Sequence, residues 1–132
     1  APAVATAAAP LEGKPEDPSV VKVVTDPRDF AIYFSRTPIP TGGPWFQHIG
    51  IYGFRADALR RFTRLPPGRL EKLERLEQLR MIENGMSIQV VAVREAGLSI
   101  DTPDDLAIAR TMMARTVLAE RPPSLLESSS LD

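Results

Sequence analysis

Apolar and polar positions divide this chain into short strands followed by helices. Val20-Val-Lys-Val-Val-Thr25 and Phe30-Ala-Ile-Tyr-Phe-Ser35 are rich in β-branched and aromatic residues and flank Asp26-Pro-Arg-Asp29. Pro27 suits the second position of a turn and the Asp26 side chain suits a bond to the turn backbone, so a β-hairpin is predicted. Residues 36–47 hold three prolines and two glycines and predict a surface loop. His48-Ile-Gly-Ile-Tyr-Gly-Phe54 reads as a further strand. Ala56 to Arg64 reads as a helix stopped by Pro66-Pro-Gly68. Ile88-Gln-Val-Val-Ala-Val93 is nearly continuous in apolar residues, which predicts a strand buried on both faces. Thr102 as N-cap, Pro103 at the first helical position and Asp105 in the manner of a capping box open a last helix. Leu106, Ala109, Met113 and Val117 line one face of it. Residues 1–19 are either an Ala/Pro linker or a small-residue strand over Val4 to Ala8 whose partners lie elsewhere, and residues 120–132 form a polar tail expected to be disordered. Hairpin, strand, helix, helix, strand, helix is an α/β order, with crossover connections late in the chain.

One segment breaks its own pattern. Leu70, Leu73, Leu76, Leu79 and Met81 spread over one arc of a helix that ends near Asn84-Gly85, a good left-handed stop. Glu77 projects inside that arc, whereas Glu71 and Gln78 fall on the polar side. A carboxylate on a packing face is costly without a partner. Arg80, three residues on, is the local partner available at a helix edge. The other reading is that Glu77 faces a cleft, near His48, for a chemical reason.

Composition narrows the function classes. A chain of 132 residues is one domain by length, with 43% hydrophobic and 25% charged residues, as in a globular protein. A net charge of −1 leaves no electrostatic footprint for nucleic acid or an anionic membrane. The absence of cysteine excludes disulfides, thiolate metal sites and thiol catalysis, and a single histidine excludes a multi-histidine metal site. No apolar run approaches the roughly 20 residues of a membrane span. The opening Ala1-Pro-Ala-Val-Ala-Thr-Ala-Ala-Ala-Pro10 lacks the basic region and the apolar strength of a signal peptide, so the cytoplasm is the expected address.

Four side chains are candidates for chemistry. Asp101 falls between a strand end and a helix start, where open α/β sheets keep ligand groups, although an aspartate there also complements the helix dipole. His48 stands at the mouth of a strand and reads either as a functional group or as a hydrogen-bonded structural histidine. Arg36 follows the hairpin immediately and suits a phosphate, a carboxylate or solvent. Glu77 is the fourth. No Gly-rich phosphate loop, nucleophile elbow or zinc spacing occurs.

Phe34-Ser-Arg36, Pro38-Ile-Pro40, His48-Ile-Gly-Ile-Tyr-Gly-Phe54, Leu76-Glu-Gln-Leu-Arg80-Met-Ile-Glu-Asn-Gly85 and Ile100-Asp-Thr-Pro-Asp-Asp-Leu106 resemble, in this order, the C-terminal half of the CMP-KDO synthetase family. These are the 3-deoxy-manno-octulosonate (KDO) cytidylyltransferases of lipopolysaccharide synthesis. The resemblance runs from about Ala3 to Met113. It implies the C-terminal half of a Rossmann-like nucleotidyltransferase fold with a β-hairpin and a mixed sheet, and assigns residues 20–119 to its sugar-binding and dimerisation part. It implies that the KDO hydroxyl attacks the α-phosphate of CTP with Mg²⁺ assistance. Asp101 is implied as the catalytic Mg²⁺ ligand, sharing the ion with a ligand from an N-terminal half. Arg36, His48, Tyr52, Glu77 and Gln78 are implied as sugar-pocket residues. The implied partners are KDO, CTP, the N-terminal half that the chain lacks, and a second copy in a homodimer. A truncated, non-catalytic dimerisation module is the alternative. The chain departs from the family pattern at Thr41-Gly-Gly-Pro44 and Gln47, where basic residues are common, and at Ser99, a usual glycine position.

Overall fold

The computed structural model describes residues 2–96 together with Pro103, Ala107, Arg110 and Thr111, which are helical where the sequence predicts the last helix. Asp101, the capping residues Thr102 and Asp105, the apolar positions of that helix and the 120–132 tail lie outside the described residues.

Five strands, β1 (Val4–Pro10), β2 (Lys22–Thr25), β3 (Ala31–Ser35), β4 (Phe46–Phe54) and β5 (Ile88–Ala92), form one mixed sheet in the order β3-β2-β4-β1-β5. The small-residue opening is therefore a strand, and a central one, antiparallel to β4 and parallel to β5. The predicted hairpin is β2 and β3, antiparallel, with Val23 opposite Phe34. Its turn closes as its residues dictate. Asp26 Oδ1 accepts from the backbone N–H of Arg28 at 2.8 Å and of Phe30 at 3.0 Å. Asp29 adopts φ 63°, a left-handed conformation that Asp tolerates better than most residues. Beyond the turn, the Asp29 carbonyl accepts from Val90 N at 2.8 Å, so the hairpin tip reaches round to the strand at the far edge of the sheet.

Three helices, α1 (Ala56–Arg64), α2 (Arg69–Glu74) and α3 (Leu79–Glu83), carry the chain from β4 across β1 to β5. Val4, Ala8, Val23, Phe34, Phe46, Leu76, Leu79, Met81, Ile88 and Val90 make the core between sheet and helices. One sequence expectation fails at β5. Ile88 and Val90 are buried but Val91 is 50% exposed, so the strand is covered on one face only.

The larger correction concerns the helix carrying Glu77. It is two short helices, because Arg75 turns left-handed (φ 57°, ψ 47°) and ends α2. The single apolar arc does not form: Leu73 is 66% exposed, while Leu76 and Leu79 enter the core. The polar positions exchange places with it. Glu71 and Gln78 are buried and Glu77 is exposed. Arg80 pairs with Glu71 rather than Glu77, through Nε at 2.9 Å and an Nη at 2.6 Å, and its guanidinium lies 5.0 Å from the Phe62 ring centroid.

The Arg80 hydrogen bonds hold the Glu71 carboxyl below its ordinary value of 4.5. A carboxyl depressed in the folded state adds stability above its unfolded value, and that contribution is lost as pH falls through the folded one. Glu71→Ala should therefore lower stability by about 2 kcal/mol near neutral pH, the scale of lost charge-assisted hydrogen bonds. In urea denaturation the gap between variant and parent should narrow as the pH falls below the ordinary 4.5. A deficit independent of pH would show that the pair is not its source.

Candidate functional site

The site grows from an irregularity in β4. Thr6 of β1 pairs with Tyr52 but its neighbour Ala7 pairs with Ile49, so β4 carries Gly50 and Ile51 as extra residues. Bulges of this kind bend a strand and re-aim its side chains. Because the insertion is even, side-chain alternation is kept on either side. Opposite Ala8, Thr6 and Val4 stand His48, Tyr52 and Phe54, all on the sheet face that carries the core.

The Thr6 hydroxyl fills the bulge. Its Oγ1 lies 2.8 Å from the Ile51 carbonyl, 3.2 Å from the Ile49 carbonyl and 2.8 Å from His48 Nε2. His48 is wedged beside Phe34, whose ring meets it edge-on at 4.9 Å, and Tyr52 lies tilted at 5.6 Å on its other side. Burial pushes the imidazole down to about 4, so the ring is neutral at physiological pH. Burial, and then the Glu77 carboxylate, push the Tyr52 phenol above its ordinary value, so its proton stays available for donation. From Tyr52 the aromatic line continues through Phe54 at 5.9 Å to Phe62 at 5.8 Å.

Glu77 stands at the corner between α2 and α3. It is exposed to solvent, yet its charge acts on Tyr52. The expectation that Glu77 is withdrawn from solvent is thus corrected. The residue stands at the rim because the chain turns at Arg75. Gln78, the N-cap residue of α3, is 7% exposed, and its amide makes no hydrogen bond to a described residue.

Arg36 is held at the end of β3. Its Nε donates to the Glu74 carbonyl at 3.2 Å, one Nη to Pro18 O at 3.0 Å and the other to Arg75 O at 3.2 Å. It closes the C-terminal end of α2, a common place for a cation. The structure therefore groups His48 and Tyr52, with Glu77 acting on Tyr52, while Arg36 adjoins the other end of the same corner. Asp101 lies outside the described residues. No group of three or more His, Cys, Asp or Glu suited to a metal occurs among the described residues.

Two participants escaped sequence reasoning. Thr6 is the sole polar residue of Val4–Pro10, a signal that was present but weak. Phe34 stands within the Phe34-Ser-Arg36 motif, but its contact with His48 depends on the β3-β2-β4 order. What remains is a set of neutral donors and acceptors beside one carboxylate, chemistry suited to a polyhydroxylated ligand.

Residues 2–88 match the family model described as cytidylyltransferase, and the chain belongs to that family. It is 50% identical over 117 residues to the 3-deoxy-manno-octulosonate cytidylyltransferase of Azorhizobium caulinodans, covering 85% of this chain and 47% of that protein. The protein of the same name from Chloroherpeton thalassium is 48% identical over 106 residues, covering 76% of this chain and 43% of its own length. A solved structure of CMP:2-keto-3-deoxy-manno-octonic acid synthetase complexed with CTP superposes with a TM-score of 0.74 at 38% identity, over 88% of this chain and 51% of the other. The chain spans about half the length of the curated relatives it matches.

The histidine carries a direct prediction. Its folded value of about 4 lies below the ordinary 6.5, so protonation favours the unfolded chain. The sign is therefore a loss of stability as pH falls from about 6.5 toward 4, amounting to at most about 3 kcal/mol. An NMR titration of this single histidine should show the ring neutral at pH 5.5. A midpoint near 6.5 would mean that the ring is solvated.

Proposed function

We propose that this chain is the C-terminal half of a nucleotidyltransferase that moves CMP from CTP to KDO, giving CMP-KDO and pyrophosphate for lipopolysaccharide synthesis. In this reading Arg36, His48, Tyr52, Glu77 and Gln78 form the sugar pocket. The sugar's anomeric hydroxyl oxygen bonds to the α-phosphorus and gives up its proton to solvent, while the bond to the oxygen bridging to the β-phosphate breaks and pyrophosphate departs with that electron pair. Holding the hydroxyl in line is the part that falls to this half. Mg²⁺, when bound, supplies charge neutralisation on the phosphates, and Asp101 is the residue proposed to share it with a carboxylate from the other half. The complete enzyme is proposed to be a cytoplasmic homodimer.

The observation that carries this reading is the rim where the Glu77 carboxylate acts on Tyr52, which in turn lies against His48. A carboxylate, a protonated phenol and a neutral imidazole together accept from and donate to sugar hydroxyls. The family membership supplies the transfer chemistry. The exposed Ile51 (65%) and Val91 (50%) leave apolar surface that further protein is suited to cover.

The purified 132-residue chain, given CTP, KDO and Mg²⁺, should release no pyrophosphate above a protein-free control. Co-expression with the remaining half of the Azorhizobium caulinodans relative should restore release. In that reconstituted enzyme Glu77→Ala should raise KM for KDO about tenfold, the scale of one lost sugar hydrogen bond of about 1.4 kcal/mol, and leave KM for CTP unchanged. Equal losses toward both substrates would remove Glu77 from the sugar pocket. Failure to reconstitute, with the chain forming a stable dimer, would favour the non-catalytic module.

The proposed split metal site makes a separate expectation. Mg²⁺ is ordinarily held by one or two carboxylates together with substrate phosphates. Calorimetry of the isolated chain should thus detect no saturable Mg²⁺ binding at micromolar concentrations. Binding abolished by Asp101→Asn would show that this half holds the ion unaided.

A further inference from the structure

The Thr6 hydroxyl has three polar neighbours and one proton. Two of the neighbours, the carbonyls of Ile51 at 2.8 Å and Ile49 at 3.2 Å, are able only to accept. An oxygen–oxygen separation of 2.8 Å with no proton between the atoms is repulsive, so the hydroxyl proton belongs on the line to Ile51. The third neighbour, His48 Nε2 at 2.8 Å, then faces a lone pair of Oγ1 and must bring its own proton. His48 is thereby the tautomer protonated at Nε2, with the Nδ1 lone pair left open. Nδ1 has no hydrogen-bond partner among the described residues.

We propose that Thr6 is a positioning residue, which uses the β4 bulge to fix His48 as the Nε2–H tautomer so that Nδ1 accepts a hydrogen bond from a ligand hydroxyl. The choice of ligand group rests on the sugar-pocket reading above; the tautomer does not. The consequence for specificity is that His48 selects a hydroxyl donor and not the carboxylate of a sugar acid, which would oppose lone pair to lone pair. Three neighbours hold the ring. Phe34 abuts the ring edge-on, Tyr52 lies against it, and Thr6 is 4% exposed. Sequence alone does not show this, since a threonine in a strand usually serves packing.

The chain has one histidine, so ring-nitrogen NMR reads the site without assignment. At neutral pH the parent and Thr6→Ser should each show one protonated-type nitrogen, Nε2, and one unprotonated-type nitrogen, Nδ1. In Thr6→Val, or in Thr6→Ala should the valine variant fail to fold, both resonances should move toward the average of mixed tautomers. A parent ring protonated at Nδ1, or a hydroxyl-free variant with the parent's pattern, would overturn the proposal. On addition of KDO, Nδ1 should shift in the direction of an accepted hydrogen bond in the parent and Thr6→Ser, with Nε2 unmoved. A shift at Nε2 alone would overturn the acceptor role. If KDO moves neither nitrogen, the sugar-pocket reading falls, and the tautomer pattern by itself decides the role of Thr6.

Discussion

A left-handed residue at Arg75 governs how this chain presents its polar groups. A side chain larger than glycine pays about 1–2 kcal/mol in that conformation, and it persists only when its surroundings hold it. Here the surroundings do so from both sides. Arg80 of α3 grips Glu71 of α2 across the corner, while Arg36 from β3 caps the carbonyls of Glu74 and Arg75. With the turn made, Leu76 drops into the core, Gln78 follows it to the N-terminus of α3, and Glu77 between them points outward. The packing of α3 and the polar rim near β4 therefore have one origin.

Two cations on the hairpin side, buried Lys22 and half-buried Arg36, give their donors to backbone carbonyls. Lys22 is fully buried, and its Nζ donates to Asp17 O at 2.8 Å and Arg36 O at 2.6 Å. Burial pulls its pKa below the ordinary value, as expected where the counter-dipoles are neutral carbonyls. Arg36 likewise gives three donors to carbonyls, including Pro18 O in the segment that precedes β2. Lys22 and Arg36 together tie that segment over the hairpin. A guanidinium has five N–H donors, and Arg36 gives three of them to carbonyls among the described residues. Lys22, enclosed by the fold, is structural.

The hairpin was legible because its chemistry is local: Asp26 and Pro27 close a turn by bonds within a few residues, and those bonds form. The β4 segment and α1 were legible from apolar runs and from the Pro66-Pro67 stop. The corner at Arg75 was not. Nothing at that position signals a break, since arginine has good helix propensity and the cause is tertiary, in Arg36 and in Arg80. Periodicity extended through the corner inverted the burial of Glu71, Glu77 and Gln78. At β5, an apolar run was read as buried on both faces, whereas Val91 lies open. The wedge of His48 between Phe34 and Tyr52 required knowing that β2 separates β3 from β4, a long-range fact that no local pattern contains. Thr6 shows the same limit on a smaller scale, as its role exists only because β4 carries Gly50 and Ile51 in excess of β1.

The broken helix also changes what kind of reason Glu77 needs. A carboxylate buried on a packing face would demand a partner, since its desolvation is costly. A carboxylate left in water demands none, so the anomaly of a charge on an apolar arc disappears with the continuous helix. What remains is an electrostatic relation to Tyr52, whose phenol is pushed above its ordinary value first by burial and then by the Glu77 charge. Beside it, burial keeps His48 uncharged, and the β4 bulge fixes which of its nitrogens carries the proton. Positive charge stands on the far side of the corner at Arg36 and beside Phe62 at Arg80. On the sugar-pocket reading proposed above, ligand hydroxyls would meet Tyr52 and His48, and an anionic group would meet Arg36 at the end of β3. That polarity follows from the corner at Arg75 rather than from any single side chain.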